Sequence, residues 1–179
     1  MSAEWAWSQA EIISTYPNCH GAAFVPIVLG SDKTRVSVAT GQNEYYPLYA
    51  SIGNIHNDAR RAHGSGVVLA GFLAIPRTRK KYADDALFRK FRRQLFHTSL
   101  SRILQSLKEY MTAPDVVLCG DGHYRKVVYG LGPYIADYPE QALPACIVQG
   151  WCPICTNSKT NLDGDVGVDR TREHMELLV

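Results

Sequence analysis

The sequence predicts an α/β protein, a mixed sheet with helices on its faces. Three observations carry this expectation. Three strand-like segments follow one another between residues 24 and 52. From residue 84 to 111, apolar side chains recur at three- and four-residue steps, the period of a helix. Beyond that helix, two more strand-like segments flank Gly120-Asp121-Gly122, a hairpin turn. A run of strands followed by alternating helices and strands suits a layered α/β domain. The pattern does not single out one topology.

In chain order, residues 2–15 read as a short amphipathic helix, with Ser2 as its N-cap and Trp5, Ile12 and Ile13 for packing. Tyr16-Pro17-Asn18 ends it. Residues 24–29 form a continuous apolar run of strand length, stopped by Gly30-Ser31 and followed at once by Asp32. Residues 35–38 alternate like a half-buried strand, Gly41-Gln42-Asn43 turns, and residues 45–52 read as a third strand. A helix is expected over 54–63, capped by Asn54 and stopped by Gly64-Ser65-Gly66. Residues 67–75 read as a buried strand closed by Pro76. The helical pattern over 84–111 exceeds the usual helix length, so a break near His97-Thr98-Ser99 is expected. Asp84-Asp85 should cap its start. Strands follow over 116–119 and 124–129. Residues 131–136 lead to Asp137, and a helix over 138–148 is entered through Pro139 and kinked or shortened by Pro144. An Asp- and Gly-rich loop over 161–167 and a short helix around His174 close the chain.

With 179 residues, nearly half of them hydrophobic, the chain can bury a core of its own. The net charge is only +2, so any nucleic-acid surface must be local. Such a surface is present at residues 77–93, where Arg77, Arg79, Lys80, Lys81, Arg89, Lys90, Arg92 and Arg93 face only Asp84 and Asp85. This is either a solvated helix face or a phosphate-contacting surface without sequence preference. The five cysteines are odd in number and include one pair at metal-ligand spacing, which argues for a reducing compartment. No secretory signal is visible, and the longest apolar run, residues 67–75, is too short to span a bilayer. The expectation is a soluble, intracellular protein.

Two constellations carry chemistry. Asp32 and Asp137 each follow a predicted strand. A carboxylate held at a rigid strand end can ligate a divalent cation, and phosphodiester cleavage by two metal ions needs such carboxylates. Asp32 has a second reading, as a turn residue capped by its own side chain. Spacing alone does not bring Asp32 and Asp137 together. The second constellation is Cys152-Pro153-Ile154-Cys155. Two thiolates at this spacing can share a tetrahedral Zn²⁺. His174 is the natural third ligand, with Cys146 or a residue outside this sequence as the fourth. A redox pair shares the spacing but expects a βαβ context that is not seen. His20, His56, His63, His97 and His123 show no metal spacing among themselves, and Asp121 reads as a turn residue.

The segments PIVLGSDKTRVSVATGQNEYYPLYASIGN, FLAIPRTRKKYADDALFRKFRRQLFHTSL and LGPYIADYPEQALPACIVQGWCPIC resemble the Plavaka transposases. These are fungal DNA-transposon proteins related to the CACTA superfamily. The likeness runs over nearly the whole chain. It implies a ribonuclease H-like core over 21–150, with a flanking helix over 1–20 and a truncated zinc-knuckle extension over 151–179. It implies an Asp-Asp-Glu catalytic triad, with SDKT supplying Asp32 and IADYPEQ supplying Asp137. Mg²⁺ or Mn²⁺ would be the catalytic ions and Zn²⁺ a structural one. The implied partner is DNA and the implied location the nucleus, with no membrane association and self-association left open. The third acid is a departure: Glu173 and Glu176 sit beside His174 and match the zinc segment better than a distal catalytic helix. The chain therefore reads as a fragment of the catalytic region. The alternative is an inactive, zinc-stabilised remnant that binds DNA or protein.

Overall fold

The structure, a computed structural model, describes residues 3–37, 43–61, 64–82, 85–147, 150–152, 154–157, 159–161, 164 and 167–171. The chain divides into two units, Met1–Ile135 and Ala136–Val179.

The first unit is built on a five-stranded mixed sheet with flanking helices, strand order β5-β4-β1-β7-β6. Strand β1 (Ala23–Ser31) is its centre, which explains the continuous apolar run: a strand with neighbours on both sides has little use for polar alternation. β4 (Pro47–Ile52) pairs with it antiparallel, from Ile27 opposite Ile52 to Ser31 opposite Leu48. That pairing starts just after Pro26, which has no N–H to give. Pro26 contributes its carbonyl instead, accepting from Gly53 N at 2.7 Å. On the other side, β7 (Tyr124–Ile135) runs parallel to β1. Two residue steps on β1, Ile27 to Leu29, match three on β7, Leu131 to Tyr134. The extra residue falls at Gly132-Pro133. Pro133 cannot donate to the ladder, and Gly132 approaches so closely that a Cβ would lie 3.0 Å from the Ile27 carbonyl oxygen.

β6 (Asp115–Leu118) pairs with β7 across the expected hairpin. At its tip Gly122 takes a φ of +79°, and Asp121 accepts from His123 N at 3.2 Å. The Arg125 guanidinium also grips the Asp121 carboxylate through two bonds, at 2.8 and 2.5 Å. The segments expected at 124–129 and 131–136 are therefore one long strand bent by a bulge.

Several expectations are corrected. The described part of the segment at 35–38 does not join the main sheet: β2 (Thr34–Arg35) pairs with β3 (Glu44–Tyr45) in a separate two-stranded ribbon. The turn expected at 41–43 falls mostly outside the described residues. Residues 45–52 are split at Tyr46, whose carbonyl accepts from Leu73 N. The apolar run at 67–75 yields β5 (Val68–Phe72), which is the sheet edge and largely exposed, not buried. Helix α2 spans only Asn57–Arg61, with His63 outside the described residues. Asn54 does not cap it but donates to the Phe24 carbonyl at 3.2 Å. Arg60 holds α2 to β4, donating to the carbonyls of Ile52 and Ile55 and to the buried Ser51 hydroxyl, each at 3.1 Å.

Helices cover both faces. On one face lie Ile27, Leu29 and Ser31 of β1 and Leu48 of β4, which is wholly buried. Helix α3 (Ala86–Ile103) packs here: Phe96, 3% exposed, meets Tyr46 with ring centroids 6.4 Å apart. Ile103 sits over Gly71, where a Cβ would come within 3.1 Å of it. Asp85 caps α3 through its carboxylate, which accepts from Leu87 N at 2.6 Å and Phe88 N at 3.3 Å. Asp84 lies outside the described residues. The break falls at Leu104, not at 97–99, and α4 (Gln105–Lys108) follows. On the opposite face α1 (Ala3–Ser14) packs Trp5 against Phe24, ring centroids 5.9 Å apart. Its expected cap, Ser2, is outside the described residues.

In the second unit, α5 (Tyr138–Ala142) is one and a half turns long. Pro144 explains the length, since it brings no N–H for the next helical bond. Tyr138 ties this helix to the following segment: its hydroxyl donates to the Trp151 carbonyl at 2.8 Å and accepts from Gly150 N at 2.9 Å.

Candidate functional site

Asp32 is the residue directly after β1, and Asp137 the second residue after β7. The two strands are parallel neighbours that run out together, Gly30 opposite Ile135. The end of β1 is firmly held. Ser31 is buried, and its hydroxyl shares a 2.6 Å hydrogen bond with that of Tyr134. Asp32 itself is exposed, and its carboxylate accepts no hydrogen bond among the described residues. The turn beyond β1 is closed without it, because the Thr34 hydroxyl donates to the Asp32 carbonyl at 3.3 Å. Asp137, in the second unit, occupies the N-cap position of α5 without using its side chain as a cap. Its carbonyl accepts from Glu140 N and Gln141 N, both at 2.9 Å, so the helix start is satisfied by backbone. Among the described residues, neither carboxylate serves as a cap.

The basic residues from Arg77 to Arg93 are all exposed. α3 is packed over its second half, where Phe96 is buried against Tyr46 and Ile103 sits over Gly71, while its first half is exposed. Leu87 is 78% exposed and Phe91 50%, although Phe91 stands at helical steps of three and four from Phe88 and Leu95. Arg89, Lys90, Arg92 and Arg93 ride on that exposed half. Lys81 lies over the Tyr82 ring, 4.6 Å from its centroid.

A second basic group, not anticipated, stands next to Asp32. Lys33 meets Glu44 at 2.8 Å and Arg35 approaches it at 4.0 Å, across the β2–β3 ribbon. The hydrogen bond from Lys33, with the charges of Lys33, Arg35 and Arg77, holds the Glu44 carboxyl below its ordinary range. Lys33 and Arg35 are thus two cations sharing the one Glu44 carboxylate. Nothing in residue spacing marks this cluster; it exists because Arg35 pairs with Glu44 in the ribbon register.

Cys152 and Cys155 form a tight turn in which Cys155 N donates to the Cys152 sulfur at 3.4 Å. The N–H groups of Cys155 and Ile154 lower the Cys152 thiol from its ordinary value, with help from the nearby Arg170 charge. Arg170 also clamps the turn, its Nε donating to the carbonyls of Cys155 at 2.8 Å and Cys152 at 3.2 Å. Residue spacing gave no sign of this arginine. The donor set suits a thiolate. Cys146 is exposed, with a φ of +55°. His174, Glu173 and Glu176 lie outside the described residues. No cluster of three or more metal-ligating side chains occurs among the described residues.

Among the described residues, no helix is long and apolar enough to cross a membrane. A family model described as Plavaka transposase matches the chain over residues 1–179. No curated protein and no solved structure matches it.

Proposed function

Since the chain belongs to the Plavaka transposase family, whose members act on DNA, we propose that it supplies two carboxylates, Asp32 and Asp137, to the catalytic centre of a DNA transposase. The observation that carries this reading is the strand pairing. β1 and β7 are parallel neighbours ending in register, and each is followed within two residues by an exposed carboxylate without a capping role. A ribonuclease H-like core agrees with the order of elements. Three antiparallel strands, β1, β4 and β5, come first, then a long helix, then a strand that returns parallel to the first.

In this reading Asp32 and Asp137 would hold Mg²⁺ or Mn²⁺. Those ions, when bound, lower the pKa of the attacking hydroxyl or water and stabilise the leaving oxygen. The chain's own contribution is positioning. The Ser31–Tyr134 hydrogen bond fixes the strand end that precedes Asp32, and rigid strand ends suit ligands that must be held a few ångströms apart. The exposed cations of residues 77–93 would hold the DNA backbone without reading its sequence. Cys152 and Cys155 would ligate a structural Zn²⁺, with His174 and Cys146 as the remaining candidates. The third acid of the triad is left unassigned. The protein would work in the nucleus.

The test is nicking of supercoiled plasmid by a transposase carrying this chain, in Mg²⁺ or Mn²⁺. The proposal expects nicking that Asp32→Asn or Asp137→Asn each abolish. A protein that binds DNA and stays inert with both acids in place would favour the inactive, zinc-stabilised remnant.

A further inference from the structure

The tetrapeptide at 152–155 has its backbone carbonyls gathered by one residue distant in sequence. Arg170 donates through its backbone N–H to the Ile154 carbonyl at 2.7 Å. Its Nε donates to the carbonyls of Cys155 at 2.8 Å and Cys152 at 3.2 Å. Every carbonyl of the tetrapeptide among the described residues is thus engaged by Arg170. The segment that presents Arg170 is tied down separately. Thr156 N donates to the Val168 carbonyl at 2.9 Å, Val168 N donates to the Thr156 hydroxyl at 3.1 Å, and Cys155 and Asp169 form an antiparallel bridge. Cys152 N closes the other end of the turn, donating to the Asn157 carbonyl at 3.2 Å.

With its carbonyls drawn towards Arg170, the turn can aim an N–H group at sulfur, and Cys155 N donates to the Cys152 sulfur at 3.4 Å. A thiolate ligand gains from such a donor and from a cation nearby. A planar guanidinium suits this place better than an ammonium, because its donors are fixed in one plane. We propose that Arg170 is the positioning residue of a thiolate metal site at Cys152 and Cys155, fixing the turn in its ligating shape and offsetting the charge of the two thiolates. The proposal rests on the reading that these cysteines hold Zn²⁺, and it places part of the metal affinity in a residue that is not a ligand. The contacts of Arg170 are to protein groups, so they shape the turn ahead of binding and reduce the ordering that binding requires. Outer groups that orient ligands commonly account for about 10- to 100-fold in metal affinity.

The test titrates Co²⁺ into the full chain under anaerobic, reducing conditions, follows the visible bands of tetrahedral thiolate-bound Co²⁺, and then displaces it with Zn²⁺. Arg170→Ala is expected to weaken binding of both ions by about 10- to 100-fold and to alter the bands at saturation. Arg170→Lys keeps the charge without the planar donors and should fall between wild type and Arg170→Ala. Thr156→Val removes a hydrogen bond between the same two segments that Arg170 does not share. It should cost less than Arg170→Ala and leave the bands as in wild type. If circular dichroism shows that Arg170→Ala does not fold, Arg170→Lys decides: binding weaker than in wild type and in Thr156→Val supports the proposal. Wild-type affinity and bands in Arg170→Ala would overturn the positioning role while leaving the metal site in place. Equal losses from Thr156→Val and Arg170→Ala would overturn it too, reducing Arg170 to one more tie between the segments. Full wild-type binding by Arg170→Lys would assign the effect to charge alone and overturn the carbonyl clamp. A wild-type chain that takes up neither ion would overturn the zinc reading itself.

Discussion

Neutralising the exposed half of α3 gives a sharp quantitative test of how the chain holds DNA. Arg89, Lys90, Arg92 and Arg93 are all exposed, and four helical steps separate the first from the last, about 6 Å of helix axis. Their flexible side chains can therefore reach several neighbouring phosphates together. Each phosphate neutralised on duplex DNA adds about 0.9 to the slope of log affinity against log salt. If two to four of these residues make such contacts, changing all four to Gln lowers the slope by about 1.8 to 3.6. Between 50 and 200 mM salt, a fourfold change, the slope difference amounts to roughly 10- to 150-fold in affinity. The assay is anisotropy on a duplex of arbitrary sequence at four or five salt concentrations. Circular dichroism would check that α3 survives, as it should, because the sheet-facing residues Phe96 and Ile103 are untouched. An unchanged slope would refute the argument and leave these residues as a solvated helix face.

Further perturbations follow from particular contacts. Purified protein should carry about one zinc per chain, and Cys152→Ser should lower both zinc content and Tm. Finding no zinc, with both thiols freely reactive to a thiol titrant, would remove that site. At the hairpin tip, hydrogen bonding from Arg125 holds the Asp121 carboxyl well below the usual carboxylate range. A depressed folded-state pKa stabilises above the unfolded value, near pH 4, and that contribution fades as pH falls further. Asp121→Asn should therefore lower Tm at pH 7 and converge on wild type in strong acid; a constant difference across that range would contradict the linkage. In the core, Gly130→Ala would put a Cβ 2.6 Å from the Phe24 ring, which also packs against Trp5. The expected cost is about 1–3 kcal/mol by denaturant unfolding, largely recovered in combination with Phe24→Leu. A neutral Gly130→Ala would mean that the ring is not confined.

The sheet and the long helix were legible because their signals are local. The apolar run of β1, the turn at Gly120-Asp121-Gly122 and the Asp85 cap each act within a few residues of the chain. Where the expectation failed, partners distant in sequence had decided the outcome. Residues 67–75 carry as apolar a pattern as β1, yet β5 is an edge, because strand order is set by pairing and not by hydrophobicity. Phe91 fits the helical stripe but is exposed with its half of α3, since periodicity says which side is apolar and not how far the sheet extends beneath it. At the candidate site, Asp32 and Asp137 could be picked out as residues ending strands. That β1 and β7 are parallel neighbours came only from the fold. Arg170 and the Lys33–Arg35–Glu44 cluster left no trace in spacing, because each depends on a register between segments.

The central claim is that Asp32 and Asp137 serve one metal centre, and Mn²⁺ binding followed by electron paramagnetic resonance tests it most directly. Free Mn²⁺ gives a six-line spectrum that is lost on binding, so titration reports the ions held by wild type, Asp32→Asn, Asp137→Asn and the double variant. If the two carboxylates act as a unit, each single substitution should weaken binding by about as much as the double, because ligands of one centre are strongly non-additive. Losses that simply add, or a loss confined to one of the two aspartates, would contradict the claim.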